Sequence, residues 1–179
     1  WEQRPEMSHL TLAVNVSPRQ FRHKDFVEQV MAVLTDTGAN SKRLKLELTE
    51  GILVVDVDNT IAKMAALRAE GVRFSLGDFG TGYSSLSYLK RLPLDQLKID
   101  KSFVRDVLTG SNDSAIARTV IALGQNLGLS VIAEGVETIE QVAILRDNNC
   151  DECQGYYFSK PVSFEAIADL LKKQALSLL

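Results

Sequence analysis

Val72-Arg73-Phe74-Ser75-Leu76-Gly77-Asp78 sets a short apolar run, Val72–Leu76, in front of an acid that follows just past its end. Such a run is strand-like. Working outward, similar runs recur at Leu10–Val16, Leu44–Leu48, Gln96–Ile99, Ser130–Ala133 and, more weakly, Glu152–Tyr156. Amphipathic stretches lie between them. Phe26, Val27, Val30, Met31 and Leu34 make one stripe, and Ile61, Met64, Ala65 and Arg68 define the next face. Ile116, Val120, Leu123 and Leu127 repeat at helical spacing, as do Ile139, Val142 and Leu145, and Phe164, Ile167, Leu170 and Leu171 close the series. Thr138-x-x-Gln141 is a capping box at one helix start. Strands separated by helices need crossover connections, which predicts a parallel sheet with helices outside. An eight-stranded (β/α) barrel takes about 250 residues, so the length here suits a barrel short of about two units. From periodicity alone a doubly wound open sheet is the alternative. No Gly-x-Gly-x-x-Gly follows a strand, which weakens a dinucleotide-binding fold.

Composition narrows the function classes. The 179 residues are 45% hydrophobic with a formal net charge of -3, enough for one domain, 1–179, with a sizeable core. Lys and Arg are interspersed with Asp and Glu, so no basic face for duplex nucleic acid is expected. No run of about 18 apolar residues occurs, and the opening residues are not a signal peptide. A cytoplasmic location is expected, either free or as the cytoplasmic part of a larger membrane-attached protein. Cys150 and Cys153 form the single C-x-x-C, and His9 and His23 lie far off in sequence. Zinc needs four ligands, so reduced thiols are favoured over a metal or redox site. Asn15-Val16-Ser17 matches a glycosylation sequon, with nothing else to suggest secretion.

The polar groups at the strand ends carry the chemistry. Asn15 ends the first run, Glu47 and Glu50 the second, and Asp78 follows the third. Lys98 and Asp100 close the fourth, Glu134 and Glu137 follow the fifth, and Gln154 sits in the last. In a parallel barrel all these positions converge on the carboxyl-terminal face, where active sites are built. A single Asn or Asp after a strand is more often a helix cap or turn residue than a ligand. Five strand ends in succession carrying an acid or amide are harder to dismiss. Crowded carboxylates repel, so a cation should sit among them, and oxygen ligands without His or Cys point to Mg²⁺ or Mn²⁺. Two such ions, about 3.5–4 Å apart, suit phosphodiester hydrolysis. Lys98 reads either as a snorkelling lysine at a strand end or as the cation of that acidic ring. Asp78-Phe79-Gly80-Thr81-Gly82-Tyr83-Ser84-Ser85-Leu86 combines two glycines with hydroxyls suited to capping the helix that follows. Asp-Phe-Gly also occurs in protein kinases, but the rest of that signature set is absent.

These segments together resemble the successive motifs of the EAL family. The resemblance is carried by Asn15-Val16-Ser17, Glu47-Leu48-Thr49-Glu50, Asp78–Leu86, Leu97-Lys98-Ile99-Asp100, Ala133-Glu134-Gly135-Val136-Glu137 and Gln154-Gly155-Tyr156, in order across nearly the whole chain. It implies a modified TIM barrel, incomplete at its amino terminus, with about six of the eight β/α units. It also implies hydrolysis of cyclic di-GMP to the linear dinucleotide with Mg²⁺ or Mn²⁺. By the same resemblance Asn15, Glu47, Asp78 and Glu134 would be metal ligands, and Lys98 and Glu137 would position water and phosphate. Asp100 and Gln154 would lie in the inner or substrate shell. Glu50 would brace the loop containing Gly80, Gly82, Tyr83 and Ser84, which in the family couples dimerisation to the site. Cyclic di-GMP, a second copy of the chain and upstream sensor or signalling domains are the implied partners.

Two departures limit the expected chemistry. The Glu-Ala-Leu triplet that names the family belongs on an early strand, whereas Glu165-Ala166-Ile167 falls on the last helical stretch. The family also carries two adjacent aspartates before Phe-Gly, and here the first is Gly77. Weak or single-site metal occupancy and a weak or inactive hydrolase are therefore expected. A non-catalytic receptor for cyclic di-GMP and a pure interaction module remain the alternatives.

Overall fold

A computed structural model describes residues 7–54, 56–80, 86–108 and 112–176. Its six strands are β1 (Leu12–Val16), β2 (Leu44–Thr49), β3 (Arg73–Phe79), β4 (Gln96–Ile99), β5 (Ser130–Glu134) and β6 (Glu152–Gln154). Every neighbouring pair is parallel, and the spatial order is the chain order. The helices are α1 (Pro18–Arg22), α2 (Phe26–Thr37), α3 (Val57–Ala69), α4 (Leu86–Leu89), α5 (Lys101–Arg105), α6 (Asn112–Leu127), α7 (Ile139–Asp147) and α8 (Phe164–Leu176). A doubly wound sheet reverses its strand order at a switch point. This sheet never does. Right-handed crossovers that always step the same way leave all helices on one face, so the sheet curls towards its other face as an incomplete barrel.

Side-chain alternation explains the curl. Registered partners in parallel strands share a face, and successive residues alternate. The chain Asn15↔Glu47↔Ser75↔Gln96↔Ser130 therefore lies on one face, with Lys98↔Ile132↔Glu152 and Glu134↔Gln154 on the same side. That inner face is almost wholly polar. The outer face carries Leu46, Leu48, Phe74, Leu76, Leu97, Ile99, Val131 and Ala133, all buried in the main core cluster. Helical residues, among them Phe26, Leu34, Met64, Leu67, Val120, Ile121 and Leu145, join that cluster. The hydrophobic core thus sits between sheet and helices, and the interior of the curl is left for chemistry.

The strand bounds differ from expectation most at β3, which runs on to Phe79 rather than stopping at Leu76. Leu76 pairs with Leu97 and Phe79 with Ile99, so two residues, Gly77 and Asp78, stand opposite Lys98 alone. This is a β-bulge, a device that re-aims side chains at strand ends. Asp78 takes φ 57° within it, a left-handed conformation uncommon for a non-glycine residue.

Both ends of the curl expose apolar surface. On edge strand β1, Leu12 and Val14 are 50% and 39% exposed and line a cavity of about 930 Å³ against α2. Beyond β6, Tyr156, Tyr157 and Phe158 are also exposed. No described helix is long and apolar enough to cross a membrane.

Candidate active site

Lys98, from the middle of the sheet, is the hub. Its Nζ donates to Glu47 Oε2 and, at 2.8 Å, to Glu134 Oε1, so one ammonium joins carboxylates of β2 and β5. The side chains of Lys98, Glu47 and Glu134 are 8%, 14% and 27% exposed. Burial alone would lower the Lys98 pKa. The hydrogen bonds and charges of Glu134 and Glu47 more than reverse this and leave it above the ordinary 10.5. A folded pKa above the unfolded one stabilises at pH values below the unfolded pKa. The Lys98 contribution is therefore expected to be complete at neutral pH and to be lost only as pH rises above 10.5 through the folded value. Alkaline unfolding monitored by circular dichroism, with Lys98→Met as the reference, checks this.

A second polar tier lies one step nearer the amino-terminal end of the strands. Lys45 Nζ donates to Gln96 Oε1 at 2.9 Å, and Gln96 Nε2 donates to Glu152 Oε1 at 2.9 Å. Gln96 thereby ties β2 to β6 beneath the Glu47–Lys98–Glu134 group. Neither Lys45 nor Gln96 falls at the carboxyl-terminal end of its strand, so the pattern that singled out the other polar groups passed over both. Their inward register is the signal that finds them.

The other candidates take distinct places. Asn15 is exposed beside Glu47 through strand pairing. Glu50 is buried where the chain leaves β2, and its Oε1 accepts the Gly80 N–H at 2.9 Å. Gly80 has φ 98°, and a Cβ there would lie 3.1 Å from the Phe103 ring, so both conformation and space favour glycine. Gly82, Tyr83 and Ser84 lie outside the described residues. Gln154 is exposed and is paired with Glu134 across β5 and β6. Glu137 is exposed in the loop after β5, and its N–H donates to Gln141 Oε1 at 2.7 Å. Gln141 is buried and also donates to the carbonyls of Val104 and Arg105, fixing that loop to α5. The capping-box spacing marked Gln141 as a cap. Its tie to α5 is a tertiary addition.

Asp100 is engaged locally. It is the N-cap of α5, and its Oδ1 accepts from the Ser102 N–H at 2.9 Å and from the Ser102 hydroxyl. Burial would raise its pKa, but the Ser102 hydrogen bonds outweigh that and hold it below the ordinary 3.8. The depressed value adds stability above pH 3.8 that is lost as pH falls through the folded pKa. Asp100→Ala is expected to cost about 1 kcal/mol in urea denaturation, with Asp100→Asn recovering most of it because Asn also caps well.

Burial disfavours the thiolate form of both cysteines. Cys150 and Cys153 are free, and burial pushes the Cys150 thiol up to about 12, with its Sγ donating to the carbonyls of Glu152 and Val131.

Among the described residues no group of three or more His, Cys, Asp or Glu is arranged to hold a metal. The carboxylates of Glu47 and Glu134 are joined through Lys98, and Gly77 offers no side-chain oxygen beside Asp78.

The EAL domain family matches residues 1–161. The cyclic di-GMP phosphodiesterase NbdA of Pseudomonas aeruginosa is 45% identical over 163 residues, covering 91% of this chain and 21% of NbdA. The chain thus spans about a fifth of the length of the curated relatives it matches. The EAL domain of Mycobacterium smegmatis DcpA aligns with a TM-score of 0.87 at 40% identity, covering 93% of this chain and 75% of that one. The PaMucR phosphodiesterase in complex with c-di-GMP aligns at 0.84 and 41%, covering 88% and 64%. BlrP1 of Klebsiella pneumoniae, solved with manganese and c-di-GMP, aligns at 0.76 and 35%, covering 84% and 39%.

Proposed function

The chain belongs to the EAL domain family, and on that premise we propose that it is a cyclic-di-GMP domain whose ancestral reaction is phosphodiester hydrolysis, here weak or inactive. One observation supports the reading above the others. Lys98 gathers Glu47 and Glu134 on the inner face of a parallel curl, while the bulge opposite sets Gly77 beside Asp78. Lys98, still protonated at neutral pH, supplies a cation for a phosphate oxygen, and the exposed Glu137 and Gln154 flank the same mouth. Mg²⁺ or Mn²⁺ is the ion class this oxygen-rich face would take, weakly and at one position, since each missing carboxylate removes charge.

Titration with cyclic di-GMP, with and without Mn²⁺, is the test. Binding that Mn²⁺ strengthens, with little turnover, is the expected result. Tight binding indifferent to Mn²⁺ would favour a receptor, a reading that Gly77 and the Lys98 bridge also support. No binding under either condition would leave an interaction module and sink the proposal.

Assembly belongs to the same reading. Unpaired sheet edges invite pairing with another chain, and among the described residues β1 is the last strand on its side of the sheet, with Leu12 and Val14 exposed on it. Self-association is expected by sedimentation velocity unless residues outside this chain cover the edge. A monomer at high concentration would count against it.

A further inference from the structure

We propose that Gln141 is a positioning residue for Glu137: it fastens the loop after β5 to the last turn of α5 and so fixes the Glu137 carboxylate at the mouth of the site. Resting on the cyclic di-GMP reading above, the role belongs to a side chain that need not touch ligand itself.

Gln141 makes more hydrogen bonds than a helix cap requires. At the start of α7 its Oε1 accepts the Thr138 N–H at 3.1 Å, and its own N–H donates to Thr138 Oγ1 at 3.3 Å. Those two bonds complete the capping box. The same Oε1 also accepts the Glu137 N–H at 2.7 Å. Nε2 reaches the other way and donates to the carbonyls of Val104 at 3.2 Å and Arg105 at 3.4 Å. Helix ends leave their last carbonyls open to side-chain donors, and here Gln141 is one. It is only 5% exposed, so removing either half of its amide strands polar groups away from water.

What each end of this span carries gives it a role. Helix α5 leaves β4, the strand of Lys98, with only Asp100 between them. The loop after β5 carries Glu137. One buried side chain therefore ties the Glu137 loop to the helix that leaves the Lys98 strand. Two further contacts hold the same loop from its other side. Gly135 takes φ 73°, and a Cβ there would lie 2.6 Å from Lys101 Cβ, so the loop passes tightly against the start of α5. Val136 donates to Gln154 O and accepts from the Tyr157 N–H. Glu137 comes next and is exposed. With its side chain in solvent, the backbone decides where the carboxylate sits, and Gln141 holds that backbone.

Titration of cyclic di-GMP with Mn²⁺ into the unsubstituted chain, Gln141→Met, Glu137→Gln and the double variant tests this. Each single substitution is expected to lower affinity about tenfold, less than the order of a hundredfold that misplacing a group by about 1 Å can cost a reaction. The double variant is expected to match the singles, because Gln141 acts through Glu137. Additive losses would make Gln141 merely structural and overturn the proposal, as would unchanged affinity in either single variant. Leu145→Ala truncates a buried core residue of the same helix and serves as the stability control. It should lower the thermal midpoint and leave affinity unchanged, and an equal loss of binding would also overturn the proposal. Gln141→Glu keeps the Oε1 acceptor but offers α5 no donor, and it replaces Gln141→Met should that variant not fold. In nucleotide-free spectra Gln141→Glu is expected to shift the amide resonances of Glu137 and Arg105 together. An unmoved Glu137 resonance would refute the clamp. An unsubstituted chain that binds no nucleotide would sink the functional reading instead, and these spectra would then decide the clamp by themselves.

Discussion

The chain is expected to leave cyclic di-GMP unhydrolysed, and Gly77→Asp to restore turnover only in a protein that also carries the family's Glu-Ala-Leu segment. Gly77 is not among the residues with positive φ, and a Cβ there would meet only Leu48 O at 3.7 Å and Lys98 Cδ at 4.0 Å, ordinary contacts. Neither conformation nor space demands glycine, so Gly77→Ala is expected to be neutral or to stabilise by about 0.4–1 kcal/mol. What glycine removes is a side-chain oxygen at the bulge opposite Lys98. Misplacing a catalytic group by about 1 Å can cost on the order of a hundredfold, and outright loss should cost more. Turnover assays on four proteins decide the matter: this chain and the extended chain, each with Gly77 or Gly77→Asp. Substantial hydrolysis by the short Gly77 form would refute the roles assigned to these positions. An extended Gly77→Asp protein that bound cyclic di-GMP tightly without cleaving it would replace the enzyme with a receptor.

Gly155→Ala is expected to be the most damaging single methyl in the described chain, costing about 3 kcal/mol, the upper part of the range for overpacking. A Cβ on Gly155 would lie 2.1 Å from Val136 O and 2.3 Å from Val136 N. These are backbone atoms, and they cannot swing aside. Val136 N–H donates to Gln154 O, and Tyr157 N–H donates to Val136 O, both at 3.0 Å, so the clash falls where the loop after β5 is laced to β6. The same loop carries Glu137, and β6 carries Gln154. Thermal unfolding followed by circular dichroism would show a large fall in midpoint for Gly155→Ala beside an unchanged or raised one for Gly77→Ala. Equal midpoints would show that the two glycines are not distinguished by packing.

The sequence by itself determined the alternation of strands and helices, and hence the parallel pairing. Strand and helix periods are local properties, and parallel neighbours leave no other connection. It also determined the row of Asn15, Glu47, Asp78, Lys98, Glu134 and Gln154 at or near strand ends, because each stands in or just past its own strand-like run. Tertiary structure alone decided whether the sheet winds one way or two, since the direction of each crossover appears only when strands pair. The bulge at Gly77–Asp78 is likewise a property of β3 against β4, invisible in either strand alone. Asp100 looked like Glu47 and Asp78 in the sequence, yet the chain turned straight into α5 and its carboxylate went to the Ser102 N–H. Lys98 could have been a snorkelling lysine or the cation of the ring. Only the curl of the sheet, which brings β2 and β5 to either side of β4 within hydrogen-bond reach, placed its ammonium between two carboxylates.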